Sequence, residues 1–128
     1  MHYLDFDKKT LEQEYSPSSC IEDINYYIQQ YIDRSKTNLA LASNSNSLIS
    51  NIHYGEQQTQ ILDLFLPTAP SKRKLHVYIH GGYWQELSKN ESAFAATCFQ
   101  QAGCHFAVLN YTLAPDATLT DIVNEVRA

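Results

Sequence analysis

The sequence predicts an α/β fold, with a helical arm and linker over residues 1–47 and a strand-rich unit over residues 48–128. Three observations carry this reading. The early apolar residues recur at helical spacing, and the later ones fall in short β-branched and aromatic runs that alternate with helical segments. Between the two textures lies "ASNSNSLISN", a polar, low-complexity stretch that reads as a linker. Strands alternating with helices imply a parallel sheet joined by right-handed crossovers.

In "SPSSCIEDINYYIQQYIDRS" the residues Ile21, Ile24, Ile28 and Ile32, with Tyr27 and Tyr31, form one apolar helical stripe. Ser18 or Ser19 is the expected cap, and Glu22 and Asp23 suit the first turn. These tyrosines read as packing residues. "SLISNIHYG" and "TQILDLFLP" are two short strands joined through Gly55 and "EQQ", the second ended by Pro67. "KLHVYIH" is a third strand, rich in β-branched and aromatic residues. A helix is expected over Glu91 to Gly103, closed by the glycine. "CHFAVLNYTLAP" supplies a fourth strand, and "DATLTDIVNEVRA" opens a last helix capped by Asp116 or Thr118.

The chain's 128 residues are enough for one ordinary domain. With 44% hydrophobic and 18% charged residues it reads as soluble and globular, and no window approaches the roughly 18 consecutive apolar residues of a membrane span. A net charge of -5, with the basic residues scattered apart from "SKRK", excludes a clustered phosphate-binding face, so no nucleic-acid partner is expected. Cys20, Cys98 and Cys104 are odd in number and lack metal-ligand spacing, which suits reduced thiols in the cytoplasm. The N-terminal "MHYLDFDKKTLEQEY" has acidic residues where a signal peptide has a basic start. No metal and no cofactor is expected: Gly81 and Gly82 lack the further glycine spacing of a dinucleotide or P-loop site.

The stretch "HVYIHGGYWQE", His76 to Glu86, holds two of the four glycines side by side, followed by a tyrosine and the single tryptophan. It falls at the carboxyl end of a strand, where parallel sheets place their ligand sites. Adjacent glycines let backbone N–H groups approach a ligand closely, and such a turn suits an anion. "HGGYW" resembles the oxyanion loop of kynurenine formamidases (arylformamidases) and related esterases of the α/β-hydrolase fold. "YSPSS", "YGEQQTQILDLFLP" and "NYTLAP" are similar to further segments of that family in order and spacing, with Thr112 standing where arginine is common.

The resemblance implies a serine hydrolase acting on small-molecule carboxylic esters or amides, aryl formamides among them. By that resemblance the N–H groups around Gly81, Gly82 and Tyr83 form the oxyanion hole, His80 orients the loop, and Tyr83 and Trp84 line a substrate pocket. No G-x-S-x-G can be written, because Gly55, Gly81, Gly82 and Gly103 are the only glycines. The expectation is a partial α/β-hydrolase fold, truncated before the nucleophile elbow and inactive by itself, with no catalytic serine, acid or base. The alternative is a non-catalytic remnant or subunit that binds a small acyl or aromatic ligand, or a partner chain.

No substitute nucleophile is at hand. Cys104 and His105 are strand neighbours and point to opposite faces. His76 and His80 share a face but stand about 13 Å apart, too far for one metal. The family's strand order places the third strand centrally, flanked by a strand that these residues do not include. The apolar edge at residues 75–80 is therefore expected to be exposed, and to self-associate or pair with a complementary chain.

Overall fold

The computed structural model describes residues 5–128, except for the side chains of residues 17 and 19. The first residues of the acidic N-terminal stretch, and the side chain of the alternative cap Ser19, therefore lie outside the described residues. The chain divides into two compact units, the first ending at Gln30 and the second running Tyr31–Ala128.

In the first unit, helix α1 (Lys8–Glu14) starts at Asp7, whose carboxylate accepts the Thr10 N–H at 2.7 Å. A 3-10 turn, Pro17–Cys20, follows, and helix α2 (Ile24–Asn44) begins after it. The cap of α2 is Asp23, not Ser18. Its Oδ1 accepts the Asn25 N–H at 2.9 Å, while Ser18 lies in the preceding 3-10 turn, too early to reach the first turn of the helix.

The second unit is built on four strands: β1 (Leu48–His53), β2 (Ile61–Phe65), β3 (Leu75–Ile79) and β4 (His105–Leu109), in the order β1-β2-β4-β3. The sheet is mixed, not wholly parallel. The hairpin strand β2 runs antiparallel to both β1 and β4, and only β3 and β4 are parallel. This follows from the connections, since the short polar turn after β1 can only return the chain antiparallel, whereas the helical segment between β3 and β4 permits a parallel return. The β1–β2 register shifts between Ile49 and Ile52, where Asn51 has φ 57°.

Residues 42–51, read above as a linker, form the last turn of α2, a tight turn and the start of β1. The serines stabilise that turn by bonding the backbone, with Ser45 Oγ donating to the Leu41 carbonyl and Ser47 N–H to the Ala42 carbonyl. Ala42 itself belongs to the core, with Phe65, Ala93, Ala96, Phe106 and Val108. The helix expected from Glu91 starts later. Its first part is two 3-10 turns, Lys89–Glu91 and Ala93–Ala95, and helix α3 covers only Ala96–Gln101. The Asn38 amide donates to the Ala93 and Phe94 carbonyls, which diverts them from α-helical partners. Gly103 ends α3 as expected, at φ 77°, where a Cβ would stand 2.4 Å from the Pro70 carbonyl oxygen.

Helix α4 (Leu119–Val126) is capped by Thr118 rather than Asp116, in a capping box in which the Thr118 hydroxyl accepts the Asp121 N–H and the Asp121 carboxylate accepts the Thr118 N–H. Its Ile122 packs with Tyr111 and Ala117 in a second cluster. No helix is long and apolar enough to cross a membrane among the described residues.

Candidate functional site

The loop from His80 to Ser88 leaves the end of β3, and three contacts fix its first half. His80 is 4% exposed, and its ring lies flat on Tyr111, centroids 4.2 Å apart and planes 8° from parallel. The Tyr111 hydroxyl donates to the His80 carbonyl at 2.8 Å. His80 Nδ1 lies 2.8 Å from the Gly81 carbonyl oxygen; a carbonyl only accepts, so Nδ1 carries the proton and donates. Nε2 is then an unprotonated acceptor, buried and without a hydrogen-bond partner among the described residues. Burial holds the His80 pKa below the usual histidine value, against weaker opposing effects from the Gly81 carbonyl and the Glu91 carboxylate. The imidazole is therefore kept neutral and committed to the loop.

The two glycines have different reasons to be glycine. Gly82 has φ 104°, and a Cβ there would stand 2.1 Å from the Glu86 carbonyl oxygen, so the turn itself requires it. That turn is closed by the Gln85 and Glu86 N–H groups, both donating to the Gly82 carbonyl. A Cβ on Gly81 would meet nothing within 4 Å. The fold does not demand a glycine at 81, and its bare backbone faces open space. Neither the Gly81 nor the Gly82 N–H donates to a backbone carbonyl among the described residues.

Beyond the pair the backbone is strained, with Tyr83 at φ 51°, Trp84 at φ 60° and Leu87 at φ 68°. Such left-handed positions for side-chain-bearing residues typically cost on the order of 1 kcal/mol or more each and persist only where the surroundings hold them. The Ala114 N–H donates to the Trp84 carbonyl at 2.8 Å, which ties the strained stretch to the loop after β4. The Tyr83 and Trp84 rings meet edge to face, centroids 6.3 Å apart, and both are largely exposed. His80, Gly81, Gly82, Tyr83, Trp84 and Tyr111 together line a recess of about 360 Å³.

The residues singled out in the sequence thus sit together at one mouth, at the carboxyl end of β3. His76 does not join them. It stacks on Phe99 at 4.3 Å and on Phe106 at 5.7 Å, a packing role. Among the described residues no group of three or more His, Cys, Asp or Glu side chains is placed to hold a metal. Thr112, at the position where arginine is common in the resembling family, meets the Thr59 hydroxyl with its own, and its N–H donates to the Glu125 carboxylate at 2.8 Å.

Sequence reasoning missed Tyr111, Lys89 and Asp63. Tyr111 lies inside "NYTLAP", but nothing in that motif shows its ring under His80. Asp63 carried a signal: a carboxylate in the apolar strand "ILDLF" needs a buried partner. That partner is Lys89, whose Nζ lies 2.7 Å from Asp63 Oδ2.

A four-stranded mixed sheet with a glycine-pair loop at the carboxyl end of a parallel strand defines a portion of the α/β-hydrolase fold. Comparison with solved structures agrees. A Silicibacter protein described as a thioesterase superimposes with a TM-score of 0.80 at 25% identity, over 88% of this chain and 42% of that one. Esterase B of Lactobacillus rhamnosis matches with a TM-score of 0.56 at 16% identity, over 75% and 37%. In sequence, kynurenine formamidase of Danio rerio is 34% identical over 123 residues and that of Salmo salar 32% identical over 126 residues, covering 94% and 96% of this chain. Over nearly its whole length the chain is thus similar to a portion of arylformamidase/esterase-type α/β-hydrolases. It spans 42% and 43% of the lengths of those two relatives. No protein-family model matches the sequence.

Proposed function

We propose that the chain supplies the oxyanion hole of a serine hydrolase acting on carboxylic esters or amides, with aryl formamides the favoured class. The observation that carries this is the state of the glycine pair, in which a strained, multiply anchored loop presents two backbone N–H groups without backbone acceptors beside an aromatic recess. When a hydroxyl attacks a carbonyl, negative charge moves onto the carbonyl oxygen, and N–H groups around Gly81, Gly82 and Tyr83 donate to it. Each such donor is worth about two to three powers of ten in rate. His80 orients the loop; its Nδ1–H is held by the Gly81 carbonyl and its one basic nitrogen, Nε2, is buried away from the recess surface, so it does not act as the base. Tyr83 and Trp84 give the recess a wall suited to a planar aromatic leaving group.

The 128 residues contain no G-x-S-x-G, so the attacking serine comes from outside them, and the chain by itself turns nothing over. The edge strand β3 is where the complement joins. Its Leu75, Val77 and Ile79 are 57%, 46% and 49% exposed, and among the described residues β4 is its one strand neighbour. Left uncomplemented, this edge self-associates. The free Cys20, Cys98 and Cys104 suit a reducing cytoplasm.

The test is to assay p-nitrophenyl esters and an N-formyl aniline with the 128-residue chain, and then with that chain fused to the remaining portion of the Danio rerio relative. The chain alone should be inactive and the fusion active. Gly81→Val in the fusion should lower kcat by about two powers of ten or more, since its side chain meets nothing in the fold and fills the oxyanion approach. Turnover by the chain alone, or a fully active Gly81→Val fusion, overturns the proposal.

A second reading is a non-catalytic binder of a small acyl or aromatic ligand or of a partner chain, favoured by the missing serine motif together with the exposed Tyr83 and Trp84. It predicts saturable quenching of Trp84 by an aryl formamide and an inactive fusion.

A further inference from the structure

We propose that the buried pair Asp63–Lys89 is the distal anchor of the glycine-pair loop, making both of them positioning residues for the N–H groups of Gly81 and Gly82. The catalytic consequence rests on the oxyanion reading above; the conformational claim does not.

Asp63 lies in the middle of β2, between β1 and β4, and is 2% exposed. Both carboxylate oxygens are used. Oδ1 accepts the Asn51 N–H at 2.9 Å, inside the interruption of the β1–β2 ladder, and Oδ2 accepts from Lys89 Nζ at 2.7 Å. A strand register broken at Asn51 gives the carboxylate a backbone donor that a regular ladder would have consumed. The oxygen facing the loop is thereby left for Lys89.

Lys89 is the first residue after the loop, two positions beyond Leu87, and the start of a 3-10 turn. Its N–H also donates to Asn110 Oδ1 at 3.3 Å, and Asn110 is itself held by its N–H to the Ile61 carbonyl and its amide to the Thr59 carbonyl. The loop is consequently pinned at three places: His80 on Tyr111, Trp84 to Ala114, and Lys89 to Asp63 and Asn110. Tyr83, Trp84 and Leu87, all at positive φ, lie between the first and last of these. Backbone held in such conformations relaxes when one end is released. A lysine stem of four carbons buried along the way to a fixed carboxylate leaves the end of the loop little freedom.

An ion pair in a core is weak evidence for stability, because an apolar pair of similar volume often serves as well. The test therefore separates position from stability. With four glycines in the chain, selective 15N-glycine labelling gives four amide signals, two of them on the loop. The variant Asp63→Asn with Lys89→Met keeps an oxygen for the Asn51 N–H, fills the lysine volume and leaves no buried charge. It is expected to melt cooperatively, with the Gly103 signal in place and the Gly81 and Gly82 signals shifted or broadened. If the double variant does not fold, Lys89→Gln, uncharged and too short to keep the 2.7 Å contact with Asp63 Oδ2, is read in the same way.

Lys89→Arg, which keeps the charged tether, should return the Gly81 and Gly82 signals close to their original positions. Unmoved Gly81 and Gly82 signals in a folded variant that lacks the tether would overturn the proposal, as would a displacement of the Gly103 signal equal to theirs. Because the readout is the conformation of the loop, an inactive fusion protein would overturn the oxyanion reading and leave this result standing.

Discussion

His80 and Tyr111 hold each other twice, through rings stacked at 4.2 Å and through the Tyr111 hydroxyl on the His80 carbonyl at 2.8 Å. One residue follows β3 and the other follows β4, so this pair sets the angle at which the glycine-pair loop leaves the sheet. Replacing Tyr111 with Phe keeps the stack and removes the hydrogen bond, leaving a buried carbonyl without its donor. The expected loss is about 1–2 kcal/mol in a urea unfolding experiment, with far-UV circular dichroism unchanged.

The glycine pair should respond asymmetrically to alanine. At Gly82 a Cβ would collide with the Glu86 carbonyl at 2.1 Å in a backbone conformation of φ 104°. Gly82→Ala should therefore destabilise the chain by about 1–3 kcal/mol. Gly81→Ala meets nothing within 4 Å and should stay within about 0.5 kcal/mol of the original. Thermal melts of the two variants check this, and equal losses would contradict it.

Stability should fall as the solution is acidified through the histidine range. Burial lowers the His80 pKa in the folded chain from its ordinary 6.5, so below that pH the unfolded chain takes up a proton that the folded chain resists. The contribution is fully present above about pH 6.5 and is lost as pH falls from there through the folded-state pKa. His80→Phe, which preserves a flat ring on Tyr111, should flatten that part of the profile. A denaturation midpoint series over the acidic range for both chains measures the difference.

The edge strand should make the isolated chain associate. Val77 is half-exposed in the middle of β3, whose outer backbone groups have no strand partner among the described residues. Val77→Lys places a charge there and should shift sedimentation toward monomer without lowering the melting temperature. A dilute monomer in the unsubstituted chain would contradict the expectation.

The cap of α4 should be measurable by itself. Thr118→Ala removes the hydroxyl that accepts the Asp121 N–H and should cost about 1 kcal/mol. Helical signal should fall modestly, and Thr118→Ser should restore it.

Much of the fold was legible in "ILDLF", "LHVYI" and "HFAVL", because strand patterning and the punctuating Gly and Pro residues are local properties of the chain. Thr118 was legible as a cap of the last helix for the same reason, while the reciprocal bond from Asp121 was not singled out. "ASNSNS" misled, because serines that look like linker residues were bonding the end of α2, and composition does not say whether a hydroxyl faces water or a carbonyl. The cap at Asp23 was obscured by two serines closer to the expected start.

In the loop, sequence alone determined that a glycine pair ends an apolar strand, that aromatics follow it, and that no serine motif accompanies it. Tertiary structure decided which glycine the fold requires, that His80 is buried neutral against Tyr111, and that Asp63 meets Lys89. These depend on residues 26 to 31 positions apart being brought together. Contacts between distant residues are set by the sheet order β1-β2-β4-β3 and the packing beneath it, and no local pattern in the chain encodes the distance between them.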